Sequence, residues 1–167
     1  MEKNSITDQV SGLANRILVE KIALLEFNRV QRYFRPSSLI LFKLKIQASK
    51  KYKFIAPNKS RVNKNIVKVF KKLLRDSDIA GIWKEDMFLI ILPETKGNQA
   101  QEISKKLTAV LNNYQKLFDD QTVEIETKAV FHEIFPADSE AGYAKFIKKN
   151  GSQPFNSQLS LGIRANL

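Results

Sequence analysis

Cysteine is absent from this 167-residue chain. That excludes disulfides and thiolate metal sites, and it makes a cytoplasmic location the expectation. Long hydrophobic runs are absent too. The longest apolar stretch, around Phe88-Leu89-Ile90-Ile91-Leu92, falls far short of the roughly 20 residues that span a bilayer, so no membrane partner is expected. No apolar segment follows Met1-Glu2-Lys3-Asn4-Ser5, which argues against a secretory signal. Histidine occurs once, as His132, and no second histidine or acid cluster marks a metal site around it; a structural or surface role is expected. The chain has neither a glycine-rich phosphate loop nor a nucleophile elbow.

One further lack is local. From Phe27 to Arg75 there is no Asp or Glu, while Arg29, Arg32, Arg35, Lys43, Lys45, Lys50, Lys51, Lys53, Lys59, Arg61, Lys64, Lys68, Lys71, Lys72 and Arg75 all fall there. The formal charge is +11. Such a field attracts anions, whether nucleotide, nucleic acid or acidic protein. A solvated basic face that only aids solubility explains it equally well, and charge alone does not choose a partner.

What is present reads as one domain over 1–167, of ordinary globular composition at 43% hydrophobic and 27% charged residues. Apolar spacing predicts a helix from Arg16 to Tyr33, stopped by Pro36. Leu39-Ile40-Leu41-Phe42, continuing through Leu44 and Ile46, predicts a buried strand. The polar segment from Lys50 to Ser60 reads as a loop or short broken helix. Val62, Ile66, Val69, Phe70 and Leu73 mark an amphipathic helix. Ile79–Trp83 and Met87–Leu92 form a hairpin around Lys84-Glu85-Asp86. A helix from Asn98 to Leu117, a strand from Val123 to Phe131, a helix from Ser139 to Lys149 and a last strand from Gln158 to Arg164 complete the pattern. The order α-β-α-β-β-α-β-α-β suits one sheet with helices packed on it. Phe88 is expected in the core, and Trp83 either against the sheet or exposed at the hairpin.

Asp8-Gln9-Val10-Ser11-Gly12-Leu13-Ala14-Asn15-Arg16 resembles the D-x-L-T-G-L-x-N-R opening motif of GGDEF (diguanylate cyclase) domains. Arg32-Tyr33-Phe34-Arg35-Pro36-Ser37-Ser38-Leu39-Ile40-Leu41-Phe42 is similar to the family's approach to its first strand. From Arg32 to Pro93 the family pattern fits without a gap, and Lys84-Glu85-Asp86-Met87-Phe88 stands where the signature G-G-D-E-F would be. The resemblance is best over 8–130, and 151–167 fits poorly. It implies an α/β (α+β) fold: a nucleotidyl-cyclase-like, mostly antiparallel five-stranded sheet with a ferredoxin-like core, flanked by helices.

The resemblance also implies where chemistry should reside. A diguanylate cyclase joins two GTP molecules with Mg²⁺ held by an Asp of a D-x-D stretch on the first strand and by the acids of the signature. Here the D-x-D positions are Lys43 and Lys45. Mg²⁺ needs hard oxygen ligands, and a single ammonium about 5 Å away costs on the order of 6 kcal/mol at an effective dielectric near 20. The signature glycines are replaced by Lys84 and Glu85, Asp86 keeps one acid, and Met87 replaces the other. The guanine-contacting positions fall on Lys51 and Ser60. No catalysis, metal or cofactor is therefore expected.

Many cyclases also carry an inhibitory site for their product, cyclic di-GMP, built on R-x-x-D with the Asp six residues before the signature. Arg75-Asp76-Ser77-Asp78 matches that spacing. Arginine can fork onto guanine or phosphate, and the carboxylate can accept from guanine N1–H and N2–H₂. The family's added basic residue falls on Lys106, or on Lys105 if the helix is shifted. The plainer reading is that Arg75 and Asp78 only close a helix.

The function expected is thus a catalytically inactive cyclic di-GMP receptor or signalling adaptor, with a signalling protein as further partner and a ligand-bridged homodimer as one outcome. The alternative is a ligand-free docking module using the altered hairpin and basic face. Nucleic-acid binding ranks last, because no aromatic stacking platform is evident.

Overall fold

The computed structural model describes residues 7–8, 11–138 and 140–151. In chain order the elements are α1 (Arg16–Tyr33), β1 (Ser37–Ala48), a 3-10 turn (Lys50–Tyr52), α2 (Lys59–Leu73), β2 (Ile79–Lys84), β3 (Met87–Pro93), α3 (Gly97–Asn112), α4 (Tyr114–Phe118), β4 (Val123–Ile134) and α5 (Glu140–Gly151). The strands form one sheet in the order β2-β3-β1-β4, with every neighbouring pair antiparallel. The run β1-α2-β2-β3-α3-β4 in this order is the ferredoxin-like βαββαβ arrangement. Among the described residues the sheet has four strands rather than the five expected. The segment read as a last strand, Gln158 to Arg164, lies outside the described residues.

Alternation along the central strands feeds two cores. Leu39, Leu41, Leu89 and Ile91 join Val19, Ala23, Phe27 and Val30 of α1 and Phe146 and Ile147 of α5. Ile40, Phe42, Phe88, Ile90 and Leu92 join Val62, Ile66 and Phe70 of α2 and Ala100, Leu107 and Leu111 of α3. A strand covered on both faces reads as a continuous apolar run, which is why β3 shows no polar alternation.

Caps and polar ties set where the helices begin and end. Asn15 accepts from the Leu18 N–H at 2.9 Å and Asn58 from the Arg61 N–H at 3.0 Å, each satisfying a free donor of a first turn. At its end α1 reaches Phe34, in the left-handed region at φ 56°. The buried Glu26 accepts from Arg29 Nε at 2.9 Å and Nη2 at 2.7 Å, and also from the Ser37 hydroxyl. This network ties α1 to the first residue of β1.

The long helix expected from Asn98 to Leu117 is broken. Asn113 turns the chain, its side chain donating to the Ala109 carbonyl at 2.9 Å. The break lets Tyr114, 1% exposed, enter the core, while its hydroxyl accepts from Asn65 Nδ2 at 2.9 Å. Periodicity alone did not show the break, because Tyr114 lies in helical register with Leu107 and Leu111.

The outer edge of β2 is covered by the segment before α1. Ala14 bridges Gly81, and the Ile82 N–H donates to the Ala14 carbonyl at 2.9 Å. That closeness leaves no room for a side chain: a Cβ on Gly81 would lie 2.4 Å from Val19 Cβ and 3.0 Å from the Ala14 oxygen. Gly81→Ala is therefore expected to lower stability by about 1–3 kcal/mol through overpacking, read by denaturant unfolding. An unchanged midpoint would show that α1 does not press on β2.

Candidate functional site

Two places in this fold could carry chemistry: the β2–β3 hairpin with the end of β1, and the turn between α2 and β2. At the hairpin, Glu85 and Asp86 make the turn, with Asp86 at φ 58°. Its carbonyl accepts from the Leu44 N–H of β1 at 2.8 Å. Lys43 stands opposite Met87 on β3 and Lys128 on β4. Its side chain is only 3% exposed. Burial, then the charges of Lys84 and Lys128, hold its ammonium below the ordinary lysine value of 10.5. Lys45 is exposed and pairs with Glu126 at 3.5 Å.

The hairpin acids are engaged from the other side. Lys59, in the first turn of α2, bonds Glu85 and approaches Asp86 at 3.3 Å. The hydrogen bond to Glu85 raises the Lys59 pKa and lowers that of Glu85. Mg²⁺ does not fit this donor set, since ammonium groups stand at β1 and a third grips the turn acids. Among the described residues no three His, Cys, Asp or Glu side chains group so as to hold a metal ion. Lys51 is exposed in the 3-10 turn, and Ser60 is exposed at the start of α2.

At the second place the chain leaves α2 and enters β2 around Arg75-Asp76-Ser77-Asp78. Asp78 closes the turn: its Oδ2 accepts from the Arg75 N–H at 2.8 Å, and its own N–H donates to the Arg75 carbonyl at 3.0 Å. Its other oxygen, Oδ1, is buried with no hydrogen-bond partner. Desolvation by burial raises the Asp78 pKa above the usual carboxylate value, against the opposing pull of the Arg75 N–H and charge. A concavity of about 410 Å³ opens here, lined by Phe70, Leu74, Lys71, Arg75, Asp76 and Asp78 among others. Leu13 and Ala80 add apolar surface.

The basic residues of α3 do not line this concavity. Lys106 is exposed on α3. Lys105 pairs with Glu102 at 3.0 Å and borders a separate depression with Thr108 and Thr127, toward β4. His132 stacks on Phe146 with centroids 4.9 Å apart and lies 3.5 Å from Asp138, a packing role. Trp83 is buried beneath the Arg16 guanidinium, 4.7 Å from its ring, and Phe88 meets Phe70 edge-on at 5.3 Å. Sequence reasoning missed Lys59, and its only signal was a lysine preceding Val62 in an otherwise ordinary helix start.

The family model described as "Diguanylate cyclase, GGDEF domain" matches residues 5–153. The chain belongs to the GGDEF family. That match runs beyond the 8–130 in which the resemblance was best. Similar solved structures include the FimX GGDEF domain from Pseudomonas aeruginosa, at TM-score 0.68 and 12% identity, covering 82% of this chain and 85% of that one. The DgcB GGDEF domain from Caulobacter crescentus, in complex with c-di-GMP, aligns at TM-score 0.65 and 10% identity over 90% of each chain. The diguanylate cyclase SiaD from Pseudomonas aeruginosa, in complex with its activator SiaC, aligns at TM-score 0.62 and 20% identity. That alignment covers 84% of this chain and 54% of SiaD, so the present chain spans about half of SiaD's length. No curated protein matches the sequence.

The buried Lys43 of this GGDEF domain has a thermodynamic consequence. Unfolded, its ammonium keeps its proton up to about the ordinary value; folded, it releases it at lower pH. Between those two pKa values the unfolded state binds more protons, so stability rises with pH; below the folded value the cost is fully present. Lys43→Met is expected to remove this alkaline rise in unfolding free energy, measured by denaturant titrations across pH. An identical pH slope in the variant would place the charge in water instead.

Proposed function

We propose that this GGDEF domain is a catalytically inactive receptor for cyclic di-GMP, acting as a signalling adaptor. The observation that carries the reading is Asp78, which lines a concavity together with Arg75 and whose Oδ1 is buried with no hydrogen-bond partner. A buried carboxylate oxygen without a donor is costly, and a guanine N1–H with its N2 amine supplies donors in the geometry a carboxylate accepts. Arg75, exposed beside it, has the planar fork for guanine or phosphate. Asp76 and Lys71 border the same concavity, and the apolar floor of Phe70, Leu74 and Ala80 suits the face of a base. Lys106, on the neighbouring helix, supports the phosphates at longer reach; Lys105 is the weaker candidate, being directed toward β4.

Inactivity rests on the hairpin. Lys43 and Lys45 stand where metal-holding acids would be, Lys84 where a signature glycine would be, and Lys59 approaches Oδ2 of the one acid that remains, Asp86, at 3.3 Å. With GTP and Mg²⁺ the protein is expected to form no cyclic dinucleotide, assayed by chromatography; any steady turnover would contradict this part of the reading. Cyclic di-GMP is twofold symmetric, so it could bridge two copies of the domain. A second, protein partner follows from the adaptor role, as SiaD is found with an activator.

Isothermal titration of cyclic di-GMP into the protein, Arg75→Ala and Asp78→Asn tests the receptor reading. Binding at micromolar or tighter affinity is expected. Each substitution should weaken it by about tenfold or more, since each removes a charge-assisted hydrogen bond of roughly 1.5–3 kcal/mol. No heat and no thermal shift with any of the three proteins would overturn it and leave the ligand-free docking module.

A further inference from the structure

Between β1 and α2 the chain makes a tight turn that is apolar at its tip and basic beside it. Phe54 is 91% exposed and the adjacent Ile55 50%. Apolar side chains scattered singly over a surface need no explanation, but these two are neighbours, and the backbone beneath them is fixed. Ser49, itself buried, donates from its N–H to the Thr122 carbonyl at 2.9 Å and from its hydroxyl to the Gln121 carbonyl at 2.6 Å. The Tyr52 N–H donates to Ser49 and the Ile55 N–H to Tyr52, at 2.9 and 2.8 Å. A hydrogen-bonded pedestal therefore holds an aromatic and an aliphatic side chain in water.

The turn itself carries one sign of charge, while Asp119, Asp120 and Glu124 flank the Gln121–Thr122 segment that holds its base. Lys50, Lys51 and Lys53 are exposed. The Lys53 ammonium lies 5.1 Å from the Phe54 ring centroid and that of Lys51 5.4 Å from the Tyr52 ring. No acid occurs in the sequence from Phe27 to Arg75. An apolar tip among lysines matches the two layers of an anionic bilayer surface: negative headgroups outside and the acyl boundary just beneath.

We propose that this turn docks the domain on an anionic lipid surface, with Phe54 and Ile55 entering the headgroup–acyl boundary and Lys50, Lys51 and Lys53 meeting the headgroups. Nucleic acid suits it less, because one exposed ring beside an aliphatic side chain is not a succession of stacking platforms. Docking of this kind needs no spanning segment, and among the described residues no helix is long and apolar enough to cross a membrane. It revises the expectation from sequence that no membrane takes part. The proposal is independent of cyclic di-GMP binding.

A chain with a formal charge of +11 can adsorb to any anionic vesicle, so the test must separate the turn from bulk charge. Co-sedimentation with phosphatidylcholine vesicles, with and without phosphatidylserine, would use the full chain, Phe54→Ser, Lys51→Glu/Lys53→Glu and, as a charge-matched control on α1 and α5, Lys21→Glu/Lys145→Glu. Binding to the phosphatidylserine vesicles alone is expected. Phe54→Ser should weaken it about tenfold at unchanged net charge. Reversal at the turn should weaken it far more than reversal on α1 and α5. All four proteins should show the same thermal midpoint, because the altered side chains are exposed. Equal loss in the two charge-reversed proteins, or full binding by Phe54→Ser, would overturn the proposal. So would Phe54-dependent binding of a single-stranded oligonucleotide by a protein that ignores the vesicles.

Discussion

Everything in this molecule depends on β1 lying between two antiparallel neighbours. Its first seven residues, Ser37 to Lys43, pair with β3, and its whole length, Ser37 to Ala48, pairs with β4. A strand held on both edges satisfies its backbone donors and acceptors inside the sheet. It can then bury both faces, and it does so from Ser37 to Leu44. A register slip of one residue would exchange Leu39 and Leu41 with Ile40 and Phe42 and carry Lys43 to the other core. The Glu26–Arg29–Ser37 network fixes the beginning of the strand and the Asp86–Leu44 hydrogen bond fixes its hairpin end. Both candidate sites inherit their positions from that register.

Much of this was legible in the sequence because the signals were local. The helix from Arg16 to Tyr33 was read to its observed ends, and the hairpin strands matched to within a residue. Both are patterns that a period of 3.6 or an unbroken apolar run expresses directly. Strand ends were read short at β1 and β4, where Ser37, Ser38, Gln47 and Ala48, and His132, Glu133 and Ile134, continue the ladder. Backbone pairing does not require apolar side chains there. The break at Asn113 escaped notice because a helix and a kinked helix share one periodicity. The hydrogen bond that holds Tyr114 after it, from Asn65, spans 49 residues.

The sites divide in the same way. Replacement of the acids on β1 and in the hairpin could be read from residue identity, since a lysine cannot stand in for a carboxylate at a metal. For Arg75 and Asp78 the sequence offered two readings, the close of a helix and a ligand site. The structure shows Asp78 Oδ2 closing the turn on the Arg75 N–H and Oδ1 without a hydrogen-bond partner. What the sequence could not supply was tertiary distance: that Lys59 reaches the hairpin acids from α2, that Lys43 is buried near Lys84 and Lys128, and that Lys105 borders a different depression from Arg75. The residues of the exposed turn were visible as a basic segment. Their pedestal was not, because it is made by backbone atoms of Gln121 and Thr122 far along the chain.

The central claim is that nucleotide recognition in this domain resides at Arg75–Asp78 and has left the hairpin. Amide NMR spectra of the protein, recorded as cyclic di-GMP is added, test it most directly. The account predicts shifts concentrated at Lys71, Leu74, Arg75, Asp76 and Asp78, with the hairpin from Lys84 to Met87 unmoved. Shifts centred on Lys43, Lys84 and Asp86, or none anywhere at saturating ligand, would contradict it.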